Sequence, residues 1–150
     1  MAAHMPWAGS AMCLDRFIDA QERMWPAPLQ EIRAGRKRTH WMWFVFPQLK
    51  GLGRSAMAQH YGIKDMEEAR RFLAHPVLGP RLEEISGALL AHDGLAAEAI
   101  LGPVDAMKLR SSATLFEAAG GTAVFAGLLD YFFEGERCDP TLSQLRENGD

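Results

Sequence analysis

The stretch from residue 32 to residue 64 has seven Lys or Arg side chains and no Asp or Glu, although the 150-residue chain has a net charge of −3. Trp41, Trp43 and Tyr61 are interspersed with these cations. Cations neutralise phosphate or carboxylate groups, while aromatic rings stack on planar groups or hold cations over their faces. The stretch therefore predicts a binding site for an anionic ligand that has a planar part.

The aromatic run WMWFVF at residues 41–46 has a second interpretation, because large aromatic side chains usually pack in a core. A short basic cluster before it is usually an exposed turn. The absence of acids over residues 32–64 favours the ligand site, since unbalanced charge repels itself unless a partner neutralises it. The way in which Trp41 and Trp43 are exposed distinguishes a ligand site from a surface that binds a protein partner. A concave pocket indicates a ligand, and a flat exposed patch indicates a protein partner.

A second polar cluster lies in DAMKLRSSATLF, residues 105–116. Asp105, Lys108, Ser111 and Ser112 are three or four residues apart, so they share one face of a predicted helix. This face could bind an oxyanion or close a buried ion pair, and the alternative is an ordinary exposed helix face. Convergence of the two basic clusters would favour a ligand site. Lys37 and Lys108 on opposite sides of the molecule would exclude it.

Common catalytic motifs are absent from the sequence, which has no GxSxG, P-loop, GxGxxG or HExxH pattern. Its five histidines form no i,i+4 pair, so no metal site is predicted, and no cofactor is predicted either. The segment Gly51–Ser55 resembles a phosphate-binding loop only loosely, because most glycine pairs before a helix are simple turns.

Length and composition predict one soluble domain that buries roughly two-thirds of its unfolded surface. No apolar run approaches the roughly 20 residues that span a bilayer, and a pI near 5.9 argues against a general nucleic-acid binder. Residues 1–12 are expected to form a loose leader that is not a signal peptide. Cys13 and Cys138 indicate reduced thiols in a cytoplasmic protein, or else a clasp between the termini.

Apolar residues recur at helical spacing along most of the chain. The pattern predicts an all-α, single compact domain over residues 13–150, with about seven to nine short helices. Helices are predicted at residues 14–23, 29–35, 54–60, 66–74, 96–101, 103–118 and 123–133, with others after Pro76 and at a cap formed by Asp139 and Pro140. Asp65 and Glu68 have the spacing of a capping box. Residues 40–46 could form either a helical turn or a buried strand.

The chain resembles a bacterial family, domain of unknown function 1810, whose members often carry the automatic label "calpastatin". The matching segments are LDRFIDAQ (14–21), AGRKRTHWMWFVFPQLKGLGRS (34–55), FLAHPVLGPRL (72–82), DAMKLRSSATLF (105–116) and DPTL (139–142). The resemblance covers about residues 14–145. It implies an all-helical single domain and no established activity. The calpastatin label does not fit, because calpain inhibitors of that kind are disordered repeats.

The segment RRFLAHPVLGPRL, residues 70–82, also resembles the YbiA-like ADP-ribose-linked N-glycosidase superfamily. That resemblance implies an enzyme that holds a phosphorylated ribose and cleaves a C–N bond. A carboxylate would then stabilise the oxocarbenium-like transition state. Glu22 and Asp105 are the candidate catalytic residues.

Our functional hypothesis is that one pocket binds an anionic, phosphorylated, nucleotide-like small molecule, and the weaker resemblance adds N-glycosidase-type hydrolysis of an ADP-ribose-related compound. The predicted lining residues are Arg36, Lys37, His40, Trp41, Trp43, Gln48, Ser55, Lys108, Ser111 and Ser112. The alternative is a non-catalytic protein-interaction module or a homodimer, in which exposed aromatic side chains dock a partner. Neither hypothesis involves a membrane. Nucleic acid is disfavoured, because the surrounding acids would repel a long duplex.

Overall fold

α-Helices are the regular elements of residues 14–148, the part of the chain that the computed structural model describes. They are α1 (Asp15–Met24), α2 (Ala27–Arg33), α3 (Met42–Val45), α4 (Ala56–His60), α5 (Met66–Ala74), α6 (Leu78–Leu90), α7 (Ala97–Leu101), α8 (Pro103–Ala118), α9 (Ala123–Phe133) and α10 (Asp139–Glu147). The predicted leader, residues 1–12, and Cys13 lie outside the described residues.

The prediction of an all-α domain is confirmed, since residues 14–148 contain no β-strand. Residues 14–148 contain ten helices, one more than the upper end of the predicted range of seven to nine. The additional helix is α3, which lies in the segment 40–46, where the sequence allows either a helical turn or a buried strand. Sheet-like pairing in this range is confined to one parallel bridge between Leu49 and Ile63. Its two hydrogen bonds join the Lys50 N–H to the Ile63 carbonyl and the Ile63 N–H to the Gln48 carbonyl, both at 2.8 Å.

Helix α8 is the central element of the fold and packs against α5, α7, α9 and α10. It starts where the sequence predicts, because Gly102 adopts a φ of +88° and Pro103 takes the first helical position. Residues 111–116 of α8 are all buried. The helix therefore exposes side chains mainly in its first half, and that half can contribute to a surface site.

A row of aromatic rings links the helices through the core. Phe72 lies between Phe17 and Phe116, with ring centroids 5.2 Å and 5.3 Å apart, and Phe125 continues the row 5.8 Å beyond Phe116. Contacts of this kind stabilise beyond the area they bury, by about 0.5–1.5 kcal/mol each. They tie α1, α5, α8 and α9 into one core.

The helix caps agree in part with the predicted ones. The Ser55 hydroxyl accepts a hydrogen bond from the Ala58 N–H, and the Asp65 carboxylate accepts one from the Glu68 N–H. The predicted cap of the last helix is wrong by one position. Cys138 precedes α10, and Asp139 lies inside its first turn, where a negative charge complements the helix dipole.

In a capping box, the glutamate side chain would bond to the N–H of the cap residue, here Asp65, but Glu68 has other partners. Its carboxylate accepts hydrogen bonds from the Lys64 N–H at 2.8 Å and from the Arg16 guanidinium at 3.1 Å. The same guanidinium donates to the carbonyls of His60 and Gly62, each at 2.9 Å. Because the Glu68 side chain is only 5% exposed, this ion pair clamps the start of α5 and the preceding loop onto α1.

We predict that Arg16→Met lowers the free energy of unfolding by about 3 to 5 kcal/mol, because it leaves the buried Glu68 carboxylate without a counter-charge. Urea unfolding measures the loss, and adding Glu68→Gln to the same variant should recover part of it. Arg71→Met is the control: it breaks the exposed Arg71–Glu67 pair and should cost less than about 1 kcal/mol. Equal losses in the two single variants would contradict the prediction.

Candidate functional site

The basic loop between α2 and α3, residues 34–41, is organised by the carboxylate of Glu31. This carboxylate accepts hydrogen bonds from the Arg38 N–H at 2.8 Å, the Thr39 N–H at 3.1 Å and the Thr39 hydroxyl at 2.6 Å. It also accepts one from the Trp41 indole N–H at 2.9 Å. The loop is therefore preorganised by a residue that precedes it, immediately outside the acid-free stretch.

These hydrogen bonds shift the ionisation of Glu31. Partial burial alone would raise the pKa of its carboxyl group. The hydrogen bonds from the Thr39 hydroxyl, the Arg38 N–H, the Trp41 indole and the Thr39 N–H together outweigh burial and lower the pKa from 4.5 to about 2. Glu31 is therefore ionised at any physiological pH, and its charge is committed to the loop.

Lys37 and Lys108 converge on one carboxylate. The Lys37 Nζ lies 2.9 Å from Asp105 Oδ2, and the Lys108 Nζ lies 3.5 Å from Asp105 Oδ1. Lys37 is also fixed through its backbone, whose N–H donates to the Ile100 carbonyl at 2.8 Å. The two basic clusters of the sequence thus meet at Asp105, and the arrangement that would have excluded a ligand site does not occur.

Each of these lysines lies over a tryptophan ring. The Lys37 Nζ is 5.1 Å from the Trp41 ring centroid, and the Lys108 Nζ is 4.8 Å from that of Trp43. Cation–π attraction at these distances holds an ammonium group in place. The tryptophans therefore position the cations that face the site.

The prediction that Trp41 lines a pocket disagrees with its position. Its side chain is 0% exposed, so its ring belongs to the core and cannot stack on a ligand. Trp43 is half-buried and lines a water-sized cavity of about 10 Å³, together with Tyr61 and Lys108. Neither ring forms a flat exposed patch.

A groove opens beside Lys108, between α8, the loop after Gln48 and the start of α10. Its volume is about 310 Å³. The lining residues are Gln48, Leu52, Gly53, Val104, Met107, Lys108, Ser111, Cys138 and Pro140. Most of these side chains are apolar, and Lys108 supplies the charge. Sequence reasoning identified Gln48, Lys108 and Ser111 but missed the apolar walls, which come from segments far apart in the chain.

The other predicted site residues lie outside this groove or contribute to the fold. Arg36 and Lys37 line an open concavity with Arg38, and His40 is exposed. The Ser111 hydroxyl is 3.0 Å from that of Thr141. The buried Ser112 hydroxyl has no hydrogen-bond partner within residues 14–148, so it faces packed side chains. Ser55 is occupied as a helix cap.

Glu22 lies in a different cluster. Its carboxylate is 2.9 Å from the Arg81 guanidinium, and the Glu22 side chain is 60% exposed. Arg81 also lies over the Trp25 ring, 4.9 Å from its centroid. None of these contacts involves the groove or the two lysines. The structure therefore does not bring Glu22 together with Asp105.

The acid-free stretch acquires acidic partners from other segments. Arg33 pairs with Glu84 at 3.3 Å, and Lys37 pairs with Asp105. Arg36 and Arg38 form no ion pair with residues 14–148. Two of the five cations of the stretch that have no ion pair in this range therefore lie in the loop beside the lysine pair, and the other three, Lys50, Arg54 and Lys64, lie further along the chain.

The described residues form neither a cluster of metal ligands nor a membrane-crossing helix. Across residues 14–148, no three His, Cys, Asp or Glu side chains lie close enough together to hold a metal ion. In the same range, no helix is both long and apolar enough to cross a bilayer.

Comparison with known proteins agrees with the family resemblance of the sequence. A family model described as "Protein of unknown function (DUF1810)" matches residues 11–145. The crystal structure of the conserved hypothetical protein Rv1873 from Mycobacterium tuberculosis is similar, with 46% sequence identity and a TM-score of 0.87. The match covers 89% of this chain and 96% of that one. A search of curated proteins gives no match. Neither description names a ligand or a reaction.

We predict that Glu31→Gln lowers the free energy of unfolding at pH 7 by about 2 kcal/mol, with partial exposure taken into account. A depressed pKa stabilises the fold above the unfolded value of 4.5, and this contribution is lost as the pH falls through about 2. The difference between wild type and variant should therefore shrink between pH 4.5 and pH 2. Urea unfolding at a series of pH values measures this difference.

The matched control for this experiment is Glu147→Gln, which changes an exposed carboxylate at the end of α10. The free energy of unfolding of Glu147→Gln should stay within about 0.5 kcal/mol of the wild-type value over the same pH range. A Glu31→Gln difference that is constant from pH 7 to pH 2 would contradict the role assigned to the Glu31 charge.

Proposed function

The chain belongs to the DUF1810 family of proteins of unknown function, and we propose that it binds a phosphorylated, nucleotide-like small molecule in the groove beside Lys108. The observation that carries the proposal is the sharing of one Asp105 carboxylate by Lys37 and Lys108. Two ammonium groups and one carboxylate leave one positive charge uncompensated. That charge stands at the junction of the basic loop and the groove.

The two lysines are not held equally. Lys37 is 8% exposed and lies at 2.9 Å from Asp105, whereas Lys108 is 21% exposed and lies at 3.5 Å. The longer, more exposed contact is the weaker one, because water screens it. Lys108 is therefore the cation that can turn to a ligand phosphate while Lys37 keeps Asp105 neutralised.

The groove supports a ligand with an apolar or planar part. Small-molecule sites are usually concave and mostly apolar, with a few placed polar groups that fix orientation. Leu52, Val104, Met107 and Pro140 supply such walls, and Lys108 supplies the charged group at one side. A phosphate near Lys108, Arg36 and Arg38 with a planar group in the groove matches this distribution.

Binding is a better-supported proposal than hydrolysis. Both oxygens of Asp105 face lysine ammonium groups, so the carboxylate already stabilises two cations. Glu22 pairs with Arg81 in the separate cluster. An N-glycosidase of the kind implied by the weaker resemblance needs a carboxylate that faces the sugar. The proposed function is accordingly ligand binding, and ADP-ribose enters only as a test compound.

A thermal-shift screen of the purified protein tests the proposal. The compounds are nucleoside monophosphates, ADP-ribose, ribose 5-phosphate, inorganic phosphate and the corresponding unphosphorylated nucleosides. A ligand at a hundredfold excess over its Kd adds about 2.7 kcal/mol to the stability of the folded state. We expect phosphorylated compounds to raise the unfolding temperature and the unphosphorylated nucleosides to have a weaker effect. Silence across all phosphorylated compounds would contradict the proposal.

We predict that Lys108→Ala leaves the free energy of unfolding within about 1 kcal/mol of wild type, because Lys37 continues to neutralise Asp105. Affinity for a bound phosphorylated compound should fall by about 1.5 to 3 kcal/mol, as for a lost charge-assisted hydrogen bond. Urea unfolding and isothermal titration calorimetry measure the two quantities. A variant that unfolds, or one that binds as tightly as wild type, would show that Lys108 is not a ligand residue.

Arg33→Ala is the matched control for Lys108→Ala. It removes one positive charge from the same acid-free stretch, but Arg33 pairs with Glu84 at an exposed position on α6. Affinity for the phosphorylated compound should therefore change by less than about twofold. An equal loss in both variants would mean that overall charge, and not the site, governs binding.

A second candidate function, docking of a protein partner, is favoured by one observation. Val104 and Met107 are 66% and 74% exposed at the rim of the groove. Exposed apolar side chains that lie together often mark interaction surfaces. Sedimentation of wild type and of Val104→Ser/Met107→Ser tests this candidate. Self-association that is lost in the double variant, together with a silent ligand screen, would favour docking over ligand binding.

A further inference from the structure

Gln48 is the groove residue whose hydrogen-bonding capacity is free. Its backbone carbonyl is fixed by the Ile63 N–H at 2.8 Å, and the half-buried side chain lines both the groove and the small cavity beside Trp43. Within residues 14–148 its side-chain amide makes no hydrogen bond. A fixed backbone with an unengaged amide at a concave surface is the arrangement of a specificity residue.

The other polar groups of the groove are already committed or are charged. Ser111 shares a hydrogen bond with Thr141, and Lys108 is the charged group of the lining. The remaining lining residues apart from Cys138 are apolar or glycine. The Cys138 thiol is only a weak donor and acceptor, so strong hydrogen bonds to an uncharged part of a ligand fall to the amide of Gln48.

Gly53 keeps the space that this amide needs. A Cβ atom at this position would lie 3.3 Å from Gln48 Nε2 and 2.6 Å from the Cβ of Ala58. The second distance is shorter than real Cβ contacts allow. A side chain at position 53 would therefore crowd both Ala58 and the Gln48 amide, and glycine leaves space for both.

We propose that the groove holds the base of a nucleoside monophosphate, and that Gln48 reads the polar edge of that base. This inference rests on the proposed function. A carboxamide presents a donor and an acceptor side by side, and bidentate contacts of this type to a base edge discriminate between bases. The phosphate of the same ligand binds Lys108, which lines both the groove and the small cavity together with Gln48.

The size of the groove matches one nucleoside. A volume of about 310 Å³ is at the small end of the roughly 300–1,000 Å³ range of ligand pockets. One base with its ribose fits such a space between Leu52 and Met107, whereas a dinucleotide such as ADP-ribose has a second nucleoside-sized part to place. The inference therefore separates a mononucleotide from the larger compound implied by the weaker sequence resemblance.

Isothermal titration calorimetry with AMP, GMP, CMP, UMP, ribose 5-phosphate and ADP-ribose tests the inference. For the wild-type protein we expect one base to be preferred over the least favoured by at least tenfold in Kd, which corresponds to about 1.4 kcal/mol. Gln48→Leu should reduce this preference to about twofold or less. Its affinity for ribose 5-phosphate, which has no base, should fall by a smaller factor than its affinity for the preferred mononucleotide.

Two further variants complete the design. Gln30→Leu makes the same substitution at an exposed position of α2 and should leave the base preference intact. Gln48→Glu keeps the size of the side chain but replaces its donor by an acceptor, so it should change which base is preferred. Unfolding temperatures of all variants verify that they are folded. If Gln48→Leu does not fold, Gln48→Glu takes its place in the test.

The outcomes separate this inference from the proposed function. If no phosphorylated compound binds wild type, both are overturned. If phosphorylated compounds bind without a base preference, or the preference survives in Gln48→Leu and Gln48→Glu, the role of Gln48 is overturned and the proposed function stands. If ADP-ribose binds at least tenfold more tightly than every mononucleotide, the assignment of a single nucleoside is overturned.

Discussion

The carboxylate of Asp105 is the contact on which the site depends. It joins the basic loop after α2 to the first turn of α8 through Lys37 and Lys108. The two ammonium groups neutralise the carboxylate between them, and the cluster of Lys37, Lys108 and Asp105 keeps a net charge of one positive unit. Because the Lys37 contact is largely buried, it is less screened by water and salt than an exposed ion pair and fixes the geometry. The Lys108 contact is longer and more exposed, so the Lys108 ammonium group can leave Asp105 for another anion.

The tryptophans give this ion cluster its low-dielectric surroundings. Trp41 lies in the core under Lys37, and Trp43 lies half-buried under Lys108. Their position also explains why an aromatic run beside a basic run is ambiguous in sequence. The same ring can be a core residue on one side and the support of a surface cation on the other. For Trp41 the core interpretation applies, and its ring affects the site only through Lys37.

Local signals in the sequence predicted local structure well. The bounds of α8 and α9 agree with the sequence, because Gly102, Pro103 and the Gly120–Gly121 pair stop and start helices by their own backbone preferences. A ligand site formed by the two basic clusters requires Lys37 and Lys108 to converge, and they do so at Asp105. The groove walls were missed, since Leu52, Val104 and Pro140 meet only through tertiary packing. Glu31 was missed because it precedes the acid-free stretch, and Glu22 was grouped with Asp105 although no local pattern sets that distance.

The parallel bridge between Leu49 and Ile63 has a consequence for how such proteins can diversify. It closes residues 50–62 into an excursion whose two ends are held by backbone hydrogen bonds, which do not depend on side-chain identity. The excursion contributes Leu52 and Gly53 to the groove, while the lysines and Asp105 lie outside it. Loops anchored in this way tolerate exchange of sequence and length. Tyr61 is buried in the core and a Cβ at Gly62 would collide with Lys50, so these two positions are constrained, whereas Leu52 can vary and reshape the groove while the charges of Lys37 and Lys108 stay in place.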